Sequence, residues 1–350
     1  MPSRRHLLAA PALALIALAG CSTGPRDTAA SSSATSSTAV DAAAHPVTIT
    51  HAHGSTTIEQ TPTRVATIGW ADADVVPALG VVPVGAPKIT WGGNADGSTD
   101  WFDAKAGELG VKDGDIARYD DSAGIPFDDI AATRPDLILG LSSGVSKEDY
   151  DKLSKIAPVV PYTVAPWGTP WQDQLEAIGQ ALGRPTQAAA LEASTTKTIA
   201  DAVAANPQLK GKSAAWAWFS PTDLSTIGLY TTADLRPQML REFGLVDSPT
   251  VVELSKADPS AFSVNLSAEK ASTLDADLVV FYAAEGTQTD DIMGNALLSQ
   301  IPALRKKQFV ASADNAIALS MSLPSPLSVR TAVDDFLPKI ATALSGTPTS

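Results

Sequence analysis

The chain has 350 residues, 44 % of them apolar and 18 % charged, enough to fill two cores and too apolar for a disordered chain. Its 38 acidic against 25 basic residues give a net charge of −13, a surface that repels nucleic acid and argues against a DNA or RNA partner. The one cysteine, Cys21, leaves no disulfide framework.

Arg4 and Arg5 open the chain, followed by an apolar run from Leu7 to Ala19 and then Leu18-Ala19-Gly20-Cys21. A basic start, a short apolar stretch and small residues make residues 1–20 a secretory signal peptide, and the run is shorter than the roughly 20 residues that span a bilayer. The ending resembles the lipobox of bacterial lipoproteins, which implies cleavage before Cys21 and acylation of its thiol. Ser3-Arg4-Arg5-His6-Leu7-Leu8 also resembles a twin-arginine export signal, so the export route stays open. Removing residues 1–20 takes away two arginines and no acid, so the net charge moves from −13 to −15. Residues 21–46 are mainly Ser, Thr, Ala and Gly and read as a flexible tether between anchor and fold.

From residue 47, β-branched runs alternate with helical stretches, the pattern of an α/β fold. Strands are expected over Val65–Ile68, Val82–Val84, Leu137–Leu139, Ala214–Phe219, Leu278–Phe281 and Phe309–Ala311. Helices are expected over Ala73–Leu79, Lys147–Ile156 and Pro237–Phe243. An internal repeat organises them: aligning Asp128 with Glu269 brings Asp136-Leu137-Ile138-Leu139 onto Asp277-Leu278-Val279-Val280. Upstream, Leu79-Gly80 matches Phe243-Gly244, each glycine at a helix C-cap. The first copy is longer by an insertion over Ala86–Glu108 that carries Trp91 and Trp101. Those tryptophans either form a binding loop or fold back on the core. Between the copies, Pro185 to Asn206 reads as one helix with Leu191, Thr195, Ile199 and Val203 as its apolar stripe. The division expected is an N-terminal lobe over 47–184, a connecting helix over 185–206 and a C-terminal lobe over 207–350.

Gly140-Leu141-Ser142-Ser143-Gly144 fits a nucleophile elbow after a strand, but all four histidines lie upstream and none can serve as the base. Ser142 and Ser143 therefore read as polar residues of a strand-end loop, and an exported serine hydrolase is the weaker alternative. His51-Ala52-His53 reads as a surface hairpin. With no histidine beyond His53, a His-built metal site across a cleft is excluded, and no catalytic or metal residue is assigned. Binding remains. In open α/β sheets ligands sit at the carboxyl ends of strands, which selects Trp70, Trp218 and Tyr282 as wall candidates. Trp91 and Trp101 come from the insertion, and Arg118, Tyr230 and Arg236 from loops or helix starts. An arginine can pair with an anionic chelate.

Arg64-Val65-Ala66-Thr67-Ile68-Gly69-Trp70, Leu79-Gly80-Val81-Val82-Pro83-Val84-Gly85, and Ile125-Pro126-Phe127-Asp128-Asp129-Ile130-Ala131 leading into Pro135-Asp136-Leu137-Ile138 carry a resemblance. They resemble the class III periplasmic solute-binding proteins, in their iron–siderophore branch, over about Val47 to Leu344. That resemblance implies two Rossmann-like lobes facing a cleft, joined by a single long helix, with no catalytic chemistry and no cofactor. The ligand it implies is a ferric siderophore, handed to the permease of an ATP-driven importer. It further implies a monomer, lipid-anchored on the outer face of the cytoplasmic membrane. One acid per lobe docks the permease in that family. The matching positions are Asp128, one methylene shorter than the family's glutamate, and Glu269, with Asp129 as a substitute for the first. The aromatic wall with few arginines leans towards a neutral hydroxamate chelate. Haem or cobalamin on the same scaffold stays an alternative, and haem would need an axial ligand such as Tyr230, Tyr282 or Met321.

Overall fold

The computed structural model describes residues 39–112, 114–283 and 286–350. The signal peptide, Cys21 and the tether as far as residue 38 lie outside the described residues. The tether's last residues, 39–46, are not free: Asp41 N–H donates to Gly183 O at 2.8 Å, the Asp41 carboxylate accepts from Thr186 N–H at 2.9 Å, and His45 Nε2 donates to Ala181 O at 3.1 Å. Composition hides this, because two polar side chains suffice to hold the segment.

A hairpin, β1 (Val47–His51) and β2 (Gly54–Ile58), opens the fold and buries Ile49 and Ile58. Its histidines are structural: His53 Nε2 donates to Val145 O at 2.8 Å, and both rings lie against Tyr150. There follow β3 (Val65–Thr67), α1 (Trp70–Ala78), β4 (Gly85–Pro87), α2 (Asp100–Glu108), β5 (Ala117–Tyr119), α3 (Phe127–Ala132), β6 (Leu137–Gly140), α4 (Lys147–Leu153), β7 (Val159–Pro161) and α5 (Trp171–Ala181). The five strands from β3 to β7 form one parallel sheet in the order β5-β4-β3-β6-β7. Several expected boundaries move, among them the end of the helix expected over Lys147–Ile156, which stops at Leu153. The second strand sits at Gly85–Pro87, not Val82–Val84, because Pro83 has no N–H to give a ladder. The first helix starts at Trp70, three residues before Ala73.

Helix α6 (Pro185–Ala205) connects the lobes. At 21 residues it is about 30 Å long. Thr195 and Ile199 are buried, and Leu191 and Val203 pack at the core's edge, the stripe expected from the sequence. A Cβ on Gly179 would sit 2.4 Å from Ala188 Cβ, so α5 and α6 cross at the closest approach small residues permit.

The second lobe runs β8 (Ser213–Phe219), β9 (Thr226–Tyr230), α7 (Leu235–Glu242), β10 (Val246–Asp247), α8 (Pro249–Ser255), β11 (Ser263–Ser267), a 3₁₀ turn (Ala268–Thr273), β12 (Leu278–Tyr282), α9 (Gly286–Gly294), α10 (Pro302–Arg305), β13 (Phe309–Ser312), α11 (Asn315–Ser322), α12 (Val329–Thr331) and α13 (Leu337–Leu344). A π turn over Ala332–Phe336 joins α12 to α13, where Pro338 withholds the N–H that a regular α turn would use. The sheet order is β11-β9-β8-β12-β13, with β10 beside the start of β8; β9 is antiparallel to β8 and β11, and the other pairs are parallel.

The repeat is visible in three dimensions. β6 pairs with β3 as β12 pairs with β8. Gly80 and Gly244 both end helices at positive φ, 77° and 84°, where a side chain would be strained. The lobes also share one apolar layer that runs from Val65, Leu139 and Leu175 through Ile199 to Trp216, Phe243 and Phe336. More than a helix holds them together.

Candidate ligand-binding site

A cavity of about 470 Å³ opens between the lobes, within the usual range of small-ligand pockets. Each strand of the parallel sheet delivers a wall residue just past its carboxyl end: Ile68 and Trp70 after β3, Pro87 on β4, Tyr119 and Asp121 from β5, Ser142 after β6 and Trp167 after β7. The C-terminal lobe closes the other side with Arg236, Leu319, Ser322 and Leu323.

Trp70 is half-buried, and its indole Nε1–H donates to the Asp121 carboxylate at 3.2 Å, which sets the ring's orientation. It opens α1, whose start is capped by the next strand's loop. Ser142 Oγ accepts from Ala71 N–H at 3.0 Å and Asp72 N–H at 3.3 Å, and Ser142 N–H donates back to Asp72 Oδ1 at 3.2 Å. This approach needs a glycine: a Cβ on Gly69 would meet Asp72 Oδ2 at 2.2 Å and Ser142 Oγ at 2.4 Å. The Ser142 hydroxyl thus works as a helix cap, which accounts for the elbow-like motif without a nucleophile. Burial pushes the Asp72 carboxyl up to about 7, against the pull of the Ser142 N–H.

Arg236 follows the Asp234 cap of α7. Its Nη1 donates to both Asp234 oxygens at 3.1 and 3.0 Å, its Nε donates to Tyr282 Oη at 2.6 Å, and its guanidinium lies 4.0 Å from the Tyr230 ring centre. Burial works against the charge, but Asp234 outweighs it and holds Arg236 protonated well above the usual range. Nη2 has no partner among the described residues, so a charged donor remains for a ligand.

The sequence candidates divide. Trp70, Trp91 and Arg236 line the cavity. Tyr230 and Tyr282 stand behind Arg236 and aim it rather than facing the cavity; Tyr282 also meets Trp91 edge-on at 5.1 Å. Trp101 and Arg118 are set apart. Trp101 folds back so that Nε1 donates to Asp74 at 2.7 Å, and Arg118 lies over Phe102 with Nη2 on Ser98 Oγ at 2.7 Å. Of the insertion's two readings, Trp91 follows the first and Trp101 the second. Trp218 is also absent from the wall; its indole covers Gly228 on the paired strand β9. Met321 is fully buried in the shared core, which leaves it no approach to an axial position.

The sequence reading missed Trp167, Asp121 and Tyr119. Trp167 lies in Ala165-Pro166-Trp167-Gly168, 43 % exposed with φ at +53°, and meets Phe262 of the other lobe edge-on at 5.3 Å. A bulky residue held at positive φ between proline and glycine was the available signal. Other ties cross the cleft. Gln172 Nε2 donates to Glu242 at 2.8 Å, Gln238 Nε2 to Gly168 O at 3.1 Å, and Ser325 Oγ to Asp74 at 2.9 Å. A Cβ on Gly92 would come within 2.5 Å of Asn315 O, so the Trp91 loop sits directly on α11. Burial raises the Asp74 carboxyl to about 7, opposed by the bonds from Trp101 and Ser325.

A model of the periplasmic binding protein family matches residues 65–316. The chain belongs to that family. Relatives and solved structures agree with the two-lobed architecture. The ferric enterobactin-binding periplasmic protein FepB of Escherichia coli O6:H1 (strain CFT073) is 28 % identical over 291 residues, covering 78 % of this chain and 86 % of FepB. PiaA of Streptococcus pneumoniae TIGR4, solved in complex with ferrichrome, is 34 % identical with a TM-score of 0.80, covering 86 % of this chain and 99 % of PiaA. A periplasmic solute binding protein of Mycobacterium smegmatis is 28 % identical with a TM-score of 0.69, covering 85 % and 98 %. In this family member Asp128 and Glu269 stand exposed in the first turns of α3 and of the 3₁₀ turn. Neither is in an ion pair among the described residues.

Proposed function

We propose that this periplasmic binding protein captures a ferric siderophore outside the cytoplasmic membrane and delivers it to an ABC importer. The supporting observation is the interlobe cavity, walled by Trp70, Trp91 and Trp167, into which one charged guanidinium donor is aimed. Indole faces suit the apolar shell of an iron chelate, and Arg236 suits the oxygens that ligate the metal. The ligands named for FepB and PiaA favour the same class. Haem is less favoured, because Tyr230 and Tyr282 are committed to Arg236 and Met321 is sealed in the core. The protein acts as a monomer, anchored by lipid at Cys21, and presents Asp128 and Glu269 to the permease.

Ferric chelates absorb in the near ultraviolet, so titration with ferrichrome should quench indole emission saturably, and native mass spectrometry should report one chelate per chain. No binding by any ferric siderophore, with haem or cobalamin bound instead, would overturn the reading. Charge reversal of Asp128 and Glu269 together should abolish uptake and leave the affinity of the isolated protein unchanged; a parallel fall in affinity would remove their docking role.

A further inference from the structure

The charge balance of the cavity is uneven. Its one cation among the described residues, Arg236, is already paired with Asp234, whose side chain is 1 % exposed. Of the two wall carboxylates, Asp149 is paired with Lys152 at 3.3 Å. Asp121 has no lysine or arginine within ion-pair distance among the described residues; it accepts only the Trp70 indole N–H at 3.2 Å. A half-buried, uncompensated negative charge therefore stands on the wall of a cavity in a protein whose net charge is −13. In such a partly desolvated cleft Coulomb forces act at several times their strength in water.

The geometry points to Asp121 as the residue that selects the chelate by charge, admitting uncharged and cationic ferric complexes and rejecting anionic ones. This rests on the siderophore reading above. Three hydroxamates, each a single negative charge, cancel ferric iron and give a neutral complex, and a pendant ammonium makes it cationic. Three catecholates, each doubly charged, give a strongly anionic complex that would meet Asp121 with only Arg236, whose charge Asp234 already balances, to offset it. The site therefore favours a tris-hydroxamate, and a pendant ammonium would find its counter-charge at Asp121.

Asp121→Asn tests this cleanly, since the amide oxygen still accepts from Trp70. The probes are ferrioxamine B with its free ammonium, the same chelate N-acetylated, and ferric enterobactin as the tris-catecholate. The wild type should bind the first two and bind ferric enterobactin far more weakly. Asp121→Asn should lose about three- to tenfold for ferrioxamine B, gain by a similar factor for ferric enterobactin, and leave the acetylated chelate unchanged. Should the variant fold poorly, raising salt with the wild type must narrow the ferrioxamine B to enterobactin ratio. Binding of the chelates with unchanged ratios in the variant, or a ratio indifferent to salt, overturns the charge filter while the siderophore reading stands. Failure of every chelate to bind overturns the siderophore reading, and the filter with it.

Discussion

In the N-terminal lobe the Asp136 carboxylate accepts from Thr63 N–H and Arg64 N–H, both at 2.8 Å, pinning the start of β3 to that of β6. In the C-terminal lobe Asp277 accepts from Ser213 N–H at 3.0 Å and pins β8 to β12 in the same way. Above these matching feet the lobes diverge. The first keeps five short parallel strands, so all of its carboxyl ends point at the cleft and furnish a wall rich in aromatic and small residues that also carries Asp121 and Asp149. The second inserts the antiparallel strand β9 beside β8, and the turn after β9 brings in Asp234 and Arg236. The repeated frame supplies position. The inserted strand supplies the cationic donor, so the aromatic wall and the guanidinium come from different lobes, while the carboxylates Asp121 and Asp149 stay with the first.

The largest effect should come from the charged half. Arg236→Ala leaves Asp234 buried without its partner and should cost about 3–5 kcal/mol in denaturant unfolding as well as most of the ligand affinity. Arg236→Met combined with Asp234→Asn should regain much of the stability but not the binding. If binding returned with stability, the C-terminal lobe's charge would be structural only.

The aromatic half should respond more mildly. Trp70→Ala should weaken chelate binding about tenfold, the equivalent of roughly 1.4 kcal/mol. Trp218→Ala, at a strand end of the other lobe, should change affinity little because its ring covers Gly228. Equal losses in both variants, measured by quenching, would break the contrast between the lobes. Trp171 is 3 % exposed in the shared core and serves as the folding control.

The smallest expected effect concerns the seam. Asp74 holds its proton up to about pH 7 when folded, whereas an unfolded chain releases it near the ordinary carboxylate range. The folded state thus binds the extra proton between those limits, and Asp74's contribution to stability falls as pH rises through them. Asp74→Asn, which can still accept from Trp101 and Ser325, should melt close to the wild type at pH 5 and a few degrees above it at pH 8. A constant difference across that interval would show that Asp74 does not titrate at the seam.

Local signals carried much of the frame. The glycines at 80 and 244 and the stripe on α6 were legible because each depends on neighbours close in sequence or on a strict helical period, and Asp136 and Asp277 because they recur at matched places in the repeat. The α/β class followed from alternating runs. Of the strand-end candidates Trp70 alone lines the cavity, joined by Trp91 from the insertion and Arg236 from a helix start. The candidates that lie outside this cavity share another cause. Trp101, Arg118 and Trp218 are chemically as suited to a ligand as Trp70, and nothing in their immediate sequence separates them. Whether an indole lines a cavity or folds onto Asp74 depends on which helix passes opposite it, and those partners lie 27 residues away for Trp101 and 251 for Ser325. Asp121 is the sharpest case. Composition and hydrophobic period were enough for an α/β fold with a repeated frame and a long helix between its copies, since these depend on local pattern. Which carboxylate stands without an ion-pair partner among the described residues of the cleft emerged from the folded arrangement alone, because charge compensation is a property of distances between chain segments and not of their order.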